Sequence, residues 1–402
     1  MFEFEKKKLL NKLKDRDILE ILENEECIIA GGCITSLFTR REINDIDIYF
    51  RSKESLIRAL EQIVDCSTII AHTDKATLFV KDREGNEYQF IHFNFFESPK
   101  DIFNTFDFTV CMGAYDFKTE EFVLHDNFLK DNSQRMLKVN QNTKYPIVTA
   151  LRIQKYLDKG YSISKPEFIK IMLIINKLKI NTYKELKEQM GGMYGINYDK
   201  LFKDIQDDDN FDTNIVIEKL SDLILDDDYF NLPNPNNDYE NLIKFINNSY
   251  IENENYKFYK VVFKNNNNWN NKIETNYLVI NDKEIVKVFG ENDIEILDNK
   301  LSDNSDIIYV YKNVKLRENK LYSFYNGDFE YKIGETVIAK NEQGLYFSEN
   351  EYEANTYRDN DNSVLIKCIV KIDDYVNYLN FEKCIPVEIV KHNNINKKDS
   401  DN

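Results

Sequence analysis

The stretch CIIAGGCITSLFTRREINDIDIYF, residues 27–50, decides the fold. Its apolar ends, Cys27 to Ala30 and Ile43 to Phe50, read as strands, and Ile34 to Thr39 reads as a short helix between them. Gly31 and Gly32 fall where the first strand must turn into that helix. Without a Cβ the backbone can turn sharply there and bring its N–H groups close to a phosphate. Asp45 and Asp47 are two apart on the second strand, so both carboxylates point to one face while Ile46 and Ile48 point to the core. Like charges that close repel and raise one pKa unless a cation sits between them. Mg2+ suits the position, since it takes oxygen ligands and bridges carboxylates to phosphates. The bland alternative for an Asp-x-Asp is a solvated pair at a strand edge. The glycines ahead of it favour a metal-dependent phosphate-transfer site.

Composition bounds this reading. The chain has 402 residues, enough for two or three domains, and 42% hydrophobic residues, as expected of a globular protein. No apolar run approaches the roughly 20 residues that span a membrane. The start, MFEFEKKKLLNKLKDRD, lacks the apolar segment of a signal peptide, and the expected location is a cytosol, that of the host if the source is a virus or phage. The six cysteines (27, 33, 66, 111, 368 and 384) have no CxxC spacing and read as reduced residues; the four histidines are scattered, which argues against a histidine metal site. A net charge of −17 argues against indiscriminate nucleic-acid binding but does not exclude a local basic groove. Acid is concentrated in runs such as 204–212 and 226–228, whereas Lys6, Lys7, Lys8, Arg40, Arg41 and Arg51 lie around the glycines and aspartates in sequence.

The expected class is α+β: a mixed sheet with helices, a helical neck, and a separate β-rich C-terminal domain. Residues 1–145 alternate helix and strand signals, with a helix at Ser55 to Val64, strands at Ala76 to Lys81, Glu87 to Phe93, Phe108 to Tyr115 and Phe122 to His125, and a short helix from Pro99. Residues 146–225 read as the neck, with helices at Val148 to Leu157, Lys165 to Leu178 and Thr182 to Gln189. Residues 226–254 read as a linker, 255–391 as the β-rich domain and 392–402 as a disordered tail. Gly191-Gly192 reads as a turn after a helix, His92 as a satisfied core group and His125 as a loop residue.

Three landmarks in order carry a family resemblance: Gly31-Gly32, twelve residues, Asp45-Ile46-Asp47; then Thr105-Phe-Asp-Phe-Thr-Val-Cys-Met-Gly-Ala-Tyr-Asp116 with Leu124-His-Asp126; then Leu151-Arg152-Ile-Gln-Lys155-Tyr156 ending at Gly160-Tyr161. They resemble the head domain of polymerase-β-type nucleotidyltransferases, in particular the tRNA nucleotidyltransferases and bacterial poly(A) polymerases. The resemblance implies that Asp45 and Asp47 hold metal, with two Mg2+ ions expected and Mn2+ as the alternative. It implies that Gly31 and Gly32 cradle a nucleoside triphosphate, that Asp107 lies near its ribose as a third catalytic carboxylate, and that Arg152 and Lys155 support the cleft. Two departures matter. Where the family has Arg-Asp after the glycines this chain has Thr35-Ser36, which bind phosphate through hydroxyls, with Arg40, Arg41 or Arg51 supplying charge. Thr105-Phe106 replaces a double arginine, and no Glu-Asp-x-x-Arg motif is evident, so specific CCA addition is not expected. Glu87, Gln89 and Asp107 are the candidates for a third ligand. Asp107 has an alternative role capping a nearby helix, and Arg152 and Lys155 have one as solvated cations.

Further on, Tyr331-Lys-Ile-Gly334-Glu335, Gly344-Leu-Tyr-Phe-Ser348, Glu353-Ala354 and Tyr357 resemble an uncharacterised module of large DNA viruses and phages, with short strands and a small helix at Glu349 to Tyr357. Its expected role is binding a substrate or protein partner. The functional expectation is transfer of a nucleotide from an NTP to an RNA 3′ end, tRNA-like, with pyrophosphate released and no membrane involved. Transfer to a protein or small molecule, and nucleotide or RNA binding without catalysis, are the alternatives.

Overall fold

The computed structural model describes residues 2–13, 15–81, 86–191, 205, 211–221, 238–267, 270–324, 329–356 and 363–390. The fold is mixed α/β, with two compact units, Met1–Ile246 and Asn247–Asn402. No described helix is long and apolar enough to cross a membrane.

In the first unit, helices α1 (Glu3–Lys12) and α2 (Arg16–Asn24) precede β1 (Ile28–Ala30), α3 (Gly32–Phe38) and β2 (Asp45–Tyr49). The α2 helix starts where the Asp15 side chain accepts the N–H groups of Asp17 and Ile18, and it buries Ile18, Ile21 and Leu22. Then come α4 (Lys53–Cys66), capped by Ser52, and strands β3 (Thr68–His72), β4 (Ala76–Val80) and β5 (Glu87–Ile91). After α5 (Pro99–Phe103) and a 3-10 turn at Thr109–Cys111, β6 (Gly113–Asp116) and β7 (Glu121–Leu124) complete a seven-stranded sheet in the order β3-β4-β5-β2-β1-β6-β7. Only β2 and β5 run parallel within it, the crossover being α4 with the β3–β4 hairpin. This places β2 near the middle of the sheet, where Ile46, Ile48 and Tyr49 are fully buried.

Helix α6 (Phe128–Gln134), strands β8 (Met136–Leu137) and β9 (Ser162–Ile163), and helices α7 (Pro146–Asp158), α8 (Lys165–Asn176), α9 (Tyr183–Gly191) and α10 (Thr213–Ser221) follow. The α7 helix shares one core with the sheet: Ile153, Tyr156 and Tyr161 pack with Ile28, Tyr49, Phe106 and Phe108. Residues 238–252, within the stretch read as a linker, form α11 (Asp238–Glu252), on which Phe245 stacks against His92 at 5.3 Å. The remaining linker residues up to 237, Gly192, the acidic runs apart from Ile205, Phe211 and Asp212, and the tail 392–402 lie outside the described residues.

The expected strand Phe108 to Tyr115 is a correction: only Gly113–Asp116 is strand. Thr109 donates its hydroxyl proton to the buried Asp131 at 2.6 Å, and Asn132 donates to the Val110 carbonyl, so α6 pulls residues 109–111 into a turn. Strand β3 and helix α6 carry no clean apolar period and escaped the sequence reading.

The second unit is β-rich. Lys257–Asn267, Asn270–Asn281 and Glu284–Gly290 form an antiparallel meander, and Ile307–Arg317 pairs Ser363–Lys371, which pairs Lys383–Val390. Its core holds Leu278, Val310, Phe347, Ile366, Cys368 and Phe381. Lys312 is buried in this core with its amine donating to the Tyr346 carbonyl at 2.5 Å, and burial lowers its pKa to about 8.

One contact tests how tightly the first unit is packed. A Cβ at Gly113 would stand 2.8 Å from Phe128 and 2.9 Å from Ile34, both fully buried. Gly113→Ala is expected to destabilise the first unit by about 1–3 kcal/mol through overpacking, seen as a lowered urea midpoint at unchanged slope.

Candidate active site

The glycine turn and the aspartate strand meet at the centre of the sheet. Gly31 has φ +85°, a conformation that side chains resist, and its N–H donates to the Gly113 carbonyl at 3.1 Å. A Cβ at Gly31 would lie 3.7 Å from Asp47 Oδ2 and 3.4 Å from the Phe106 ring. Gly32 opens α3 with nothing within 4 Å of its Cβ position. Thr35 donates its hydroxyl to the carbonyls of Gly31 and Val110, at 3.1 and 2.7 Å, and so ties the helix to the 3-10 turn. Its proton is already committed to backbone, while Ser36 is half-buried one position on.

Asp47 is 6% exposed, and its Oδ1 has no hydrogen-bond partner among the described residues. Burial, and then the Asp45 charge, push its carboxyl up to about 7, against a smaller opposing pull from Arg152 and Lys155. Across the parallel ladder Asp45 stands beside Glu87 and Asp47 beside Gln89, so these four side chains share a face. Gln89 therefore takes the neighbouring place on β5, and the exposed Glu87 lies one pair further along. Asp107 is buried, and its Oδ2 forms an ion pair with Arg152 Nη1 at 3.0 Å, short of hydrogen-bond alignment. The turn at Thr109–Cys111 carries no side-chain cap. Asp107 is thus engaged with α7 rather than capping that turn.

The cations come from α7 and its surroundings. Arg152 and Lys155 both act electrostatically on Asp47. Lys159 follows one turn after Lys155, exposed at the helix end, and its amine is lowered by burial of its base and by Lys155, against the attraction of Asp45. The first two influences win. Arg41 donates to the Lys159 carbonyl and lies over the Tyr161 ring at 5.6 Å, which closes the C-terminal end of α7 onto the loop before Asp45. The Arg135 guanidinium is nearby, 3.1 Å from where a Cβ on Gly160 would stand. Sequence reading passed over Lys159 and Arg135; the four-residue step from Lys155 was the available signal for the first.

One of the expected phosphate cations is engaged elsewhere. Arg51 pairs with Asp116 at 2.6 Å and donates to the carbonyls of Glu26 and Glu97, so its guanidinium is a structural clamp. Arg40 is exposed with φ +57° in the turn after α3. Two buried thiols border the site: Cys33, raised by burial and by Asp47 and Asp45, and Cys111, raised to about 12 chiefly by burial, with its Sγ 2.6 Å from the Tyr156 hydroxyl. No cluster of three or more His, Cys, Asp or Glu residues suited to a metal occurs among the described residues. Protein ligands here amount to the paired aspartates, with backbone and water or substrate oxygens left to complete any shell.

Comparison with known proteins supplies a family. Residues 1–135 match the model of the Gad2, Gabija anti-defense 2, family. Over 387 residues, 93% of this chain and 91% of the other, the sequence is 46% identical to Gabija anti-defense 2 of Bacillus phage SPbetaL7. The chain belongs to the Gabija anti-defense 2 family. Among solved structures it is similar to the Bacillus stearothermophilus CCA-adding enzyme in complex with CTP, at 15% identity and a TM-score of 0.32, over 45% of this chain and 48% of that one. A Thermotoga maritima CCA-adding enzyme complexed with tRNA gives 14% identity and a TM-score of 0.34 over 61% and 72% of the two chains. The chain spans about half the length of the first of these.

Asp47 sets a pH signature. An unfolded aspartate titrates near 3.9 and the folded one at about 7, so between those values the folded state holds the extra proton. Stability conferred below pH 4 is therefore lost as pH rises through 7. Asp47→Asn is expected to match the parent in thermal melts near pH 4 and to melt higher by several degrees at pH 8 in the presence of chelator. Equal melting at both pH values would contradict the buried, strained carboxylate.

Proposed function

We propose that the protein is a metal-dependent nucleotidyltransferase acting in phage counter-defence: it moves a nucleoside monophosphate from an NTP to an acceptor and releases pyrophosphate. One observation carries the reading. Asp47 is a buried carboxylate with a partnerless oxygen, two residues from Asp45 and against the Gly31 turn. An isolated buried anion costs several kcal/mol, and a divalent cation shared by Asp45 and Asp47 relieves that cost. The residues present fit such an ion, since both donors are hard oxygens and the free atom is one of them. Bound there, Mg2+ would neutralise triphosphate charge and lower the pKa of the attacking hydroxyl.

The chain's own residues supply the rest. Gly31 and Gly32 leave room for phosphates to approach backbone N–H groups at the start of α3. Lys155 and Lys159 face the carboxylates and balance the leaving pyrophosphate. Asp107, held through Arg152, is the group we assign to the ribose hydroxyl. Catalysis of this type rests on positioning and charge neutralisation more than on covalent chemistry by the protein. The acceptor we favour is an RNA 3′ hydroxyl, from the head-domain motifs and their order. A protein of the host's defence is the second reading, favoured by the family's description as an anti-defense protein.

Incubation of the purified protein with Mg2+, each labelled NTP in turn, and total host RNA or host protein decides both points. Label is expected to enter RNA with the intact chain, and Asp45→Ala/Asp47→Ala is expected to reduce transfer by more than about 100-fold with folding retained. Label entering protein selects the second reading, and no transfer with any NTP removes the transferase.

A further inference from the structure

Two guanidinium groups meet just past the C-terminal end of α7. Arg41 is placed by the end of α3: Arg40 takes the left-handed conformation, and the Arg41 N–H folds back onto the Ser36 carbonyl at 2.8 Å. Arg135 is placed by the end of α6, where its φ is +50°, and its carbonyl accepts the Ser162 N–H at 2.8 Å. Both side chains reach Gly160. A Cβ there would stand 3.1 Å from Arg135 Nη1 and 4.0 Å from Arg41 Nη2, so the two groups flank one point of bare backbone, which a φ of +73° reserves for glycine. The floor beneath is fixed, since Tyr161 is buried and donates its hydroxyl to Asn132 at 2.7 Å. Arg41 and Arg135 both act electrostatically on that tyrosine, and Arg41 and Lys155 both repel the Lys159 amine. None of Arg41, Arg135, Lys155 and Lys159 forms an ion pair with a carboxylate among the described residues; Asp45 attracts Lys159 from beyond ion-pair distance.

Crowded like charges repel, and an anion bound among them relieves the repulsion. In a chain of net charge −17 this crowding is a local exception. Guanidinium forks match the oxygens of a phosphate two at a time, and the bare backbone of Gly160 leaves the space between the forks open. The place is separate from the glycine turn: α3 is seven residues long, roughly 10 Å, with Gly31 ahead of its first residue and Arg41 past its last. We propose that Arg41 and Arg135, around Gly160, form a second phosphate subsite, which takes a backbone phosphate of an oligonucleotide acceptor. The charge pattern selects this occupant. From the two arginines the cations continue through Lys159 to Lys155, about 6 Å further back along α7, and Lys159 is drawn by Asp45 while Lys155 acts on Asp47. Such a line suits a ligand that carries one phosphate after another and ends at the paired aspartates. The name acceptor rests on the transferase reading; the subsite itself is tested by binding alone.

The test uses the full-length protein and a fluorescent 12-nucleotide single-stranded RNA, titrated at 50 to 200 mM salt, beside separate titrations with Mg2+ and ATP or CTP. Arg135 is exposed, so Arg135→Gln is expected to melt with the parent. It is expected to weaken RNA binding and to flatten the slope of log K against log salt by about 0.7, one phosphate contact's worth for a single strand, and Arg41→Gln/Arg135→Gln by about 1.4. Arg135→Lys, which keeps the charge, is expected to keep the slope. ATP and CTP binding are expected to be unchanged in Arg135→Gln. RNA bound equally and with one salt slope by the parent and by Arg135→Gln overturns the subsite, and so does a parent that binds no RNA. Weakened ATP or CTP binding in Arg135→Gln with RNA binding intact overturns the acceptor assignment and gives the phosphate to the NTP. A parent that binds RNA through Arg135 yet binds no NTP leaves the subsite standing and removes the transferase.

Discussion

The first unit depends on an electrostatic burden placed at the middle of its sheet. Asp47 is locked on a central strand by Ile46 and Ile48, whose burial leaves the carboxylate no alternative face. The strand cannot slip by one residue without putting two isoleucines into the cleft and two aspartates into the core. The carboxylate is consequently retained in a position where its own hydration is poor. What makes this tolerable is α7, whose Ile153 and Tyr156 are sunk in the same core while Arg152 and Lys155 act electrostatically on Asp47. Helix α7 and the sheet thereby share one core, and the charge on the sheet side sets the charge required on the helix.

This arrangement explains which features were legible in the sequence. The Gly31-Gly32 turn and the Asp45-Ile46-Asp47 strand could be read directly, because glycine and the period of two each have a single strong structural meaning. The helices α4, α7 and α8 followed from their period. What could not be read was anything decided by distant partners. Phe108 to Met112 has a strand-like composition, yet Asp131 and Asn132, more than twenty residues away, capture its backbone and side chains. Arg51 sits four residues after Asp47 and looks available for phosphate, yet Asp116, from the opposite edge strand pair, claims its guanidinium. Thr35 looks like a phosphate ligand until the carbonyl of Val110 is found 2.7 Å from its hydroxyl. In each case a polar group inside a fold was satisfied by a long-range partner that local pattern does not encode.

The second unit shows the same limit from the other direction. Its alternating strands were expected, but Lys312 falls at an inward position, where the pattern asks for an apolar residue. Three rings, those of Tyr331, Tyr346 and Phe347, stand 5.4 to 6.0 Å from its amine, and the Tyr346 carbonyl accepts one proton. The aliphatic stem packs like a hydrophobe and the ammonium is shared between a dipole and aromatic faces. The module's glycine turns, including Gly344 at φ +80° beside the Phe381 carbonyl, bring those rings around it.

Five of the six cysteines are buried, and the exposed one, Cys66, closes α4. Oxidation and alkylation proceed through the thiolate, and both thiols beside the cleft are held protonated, Cys33 by burial and its aspartate neighbours and Cys111 by burial. The carboxylates that crowd one another at the centre of the sheet thus also shield Cys33 from oxidant and electrophile. These two sulfurs are thereby kept out of oxidative and electrophilic chemistry, and Cys66 is the one cysteine whose side chain lies at the surface.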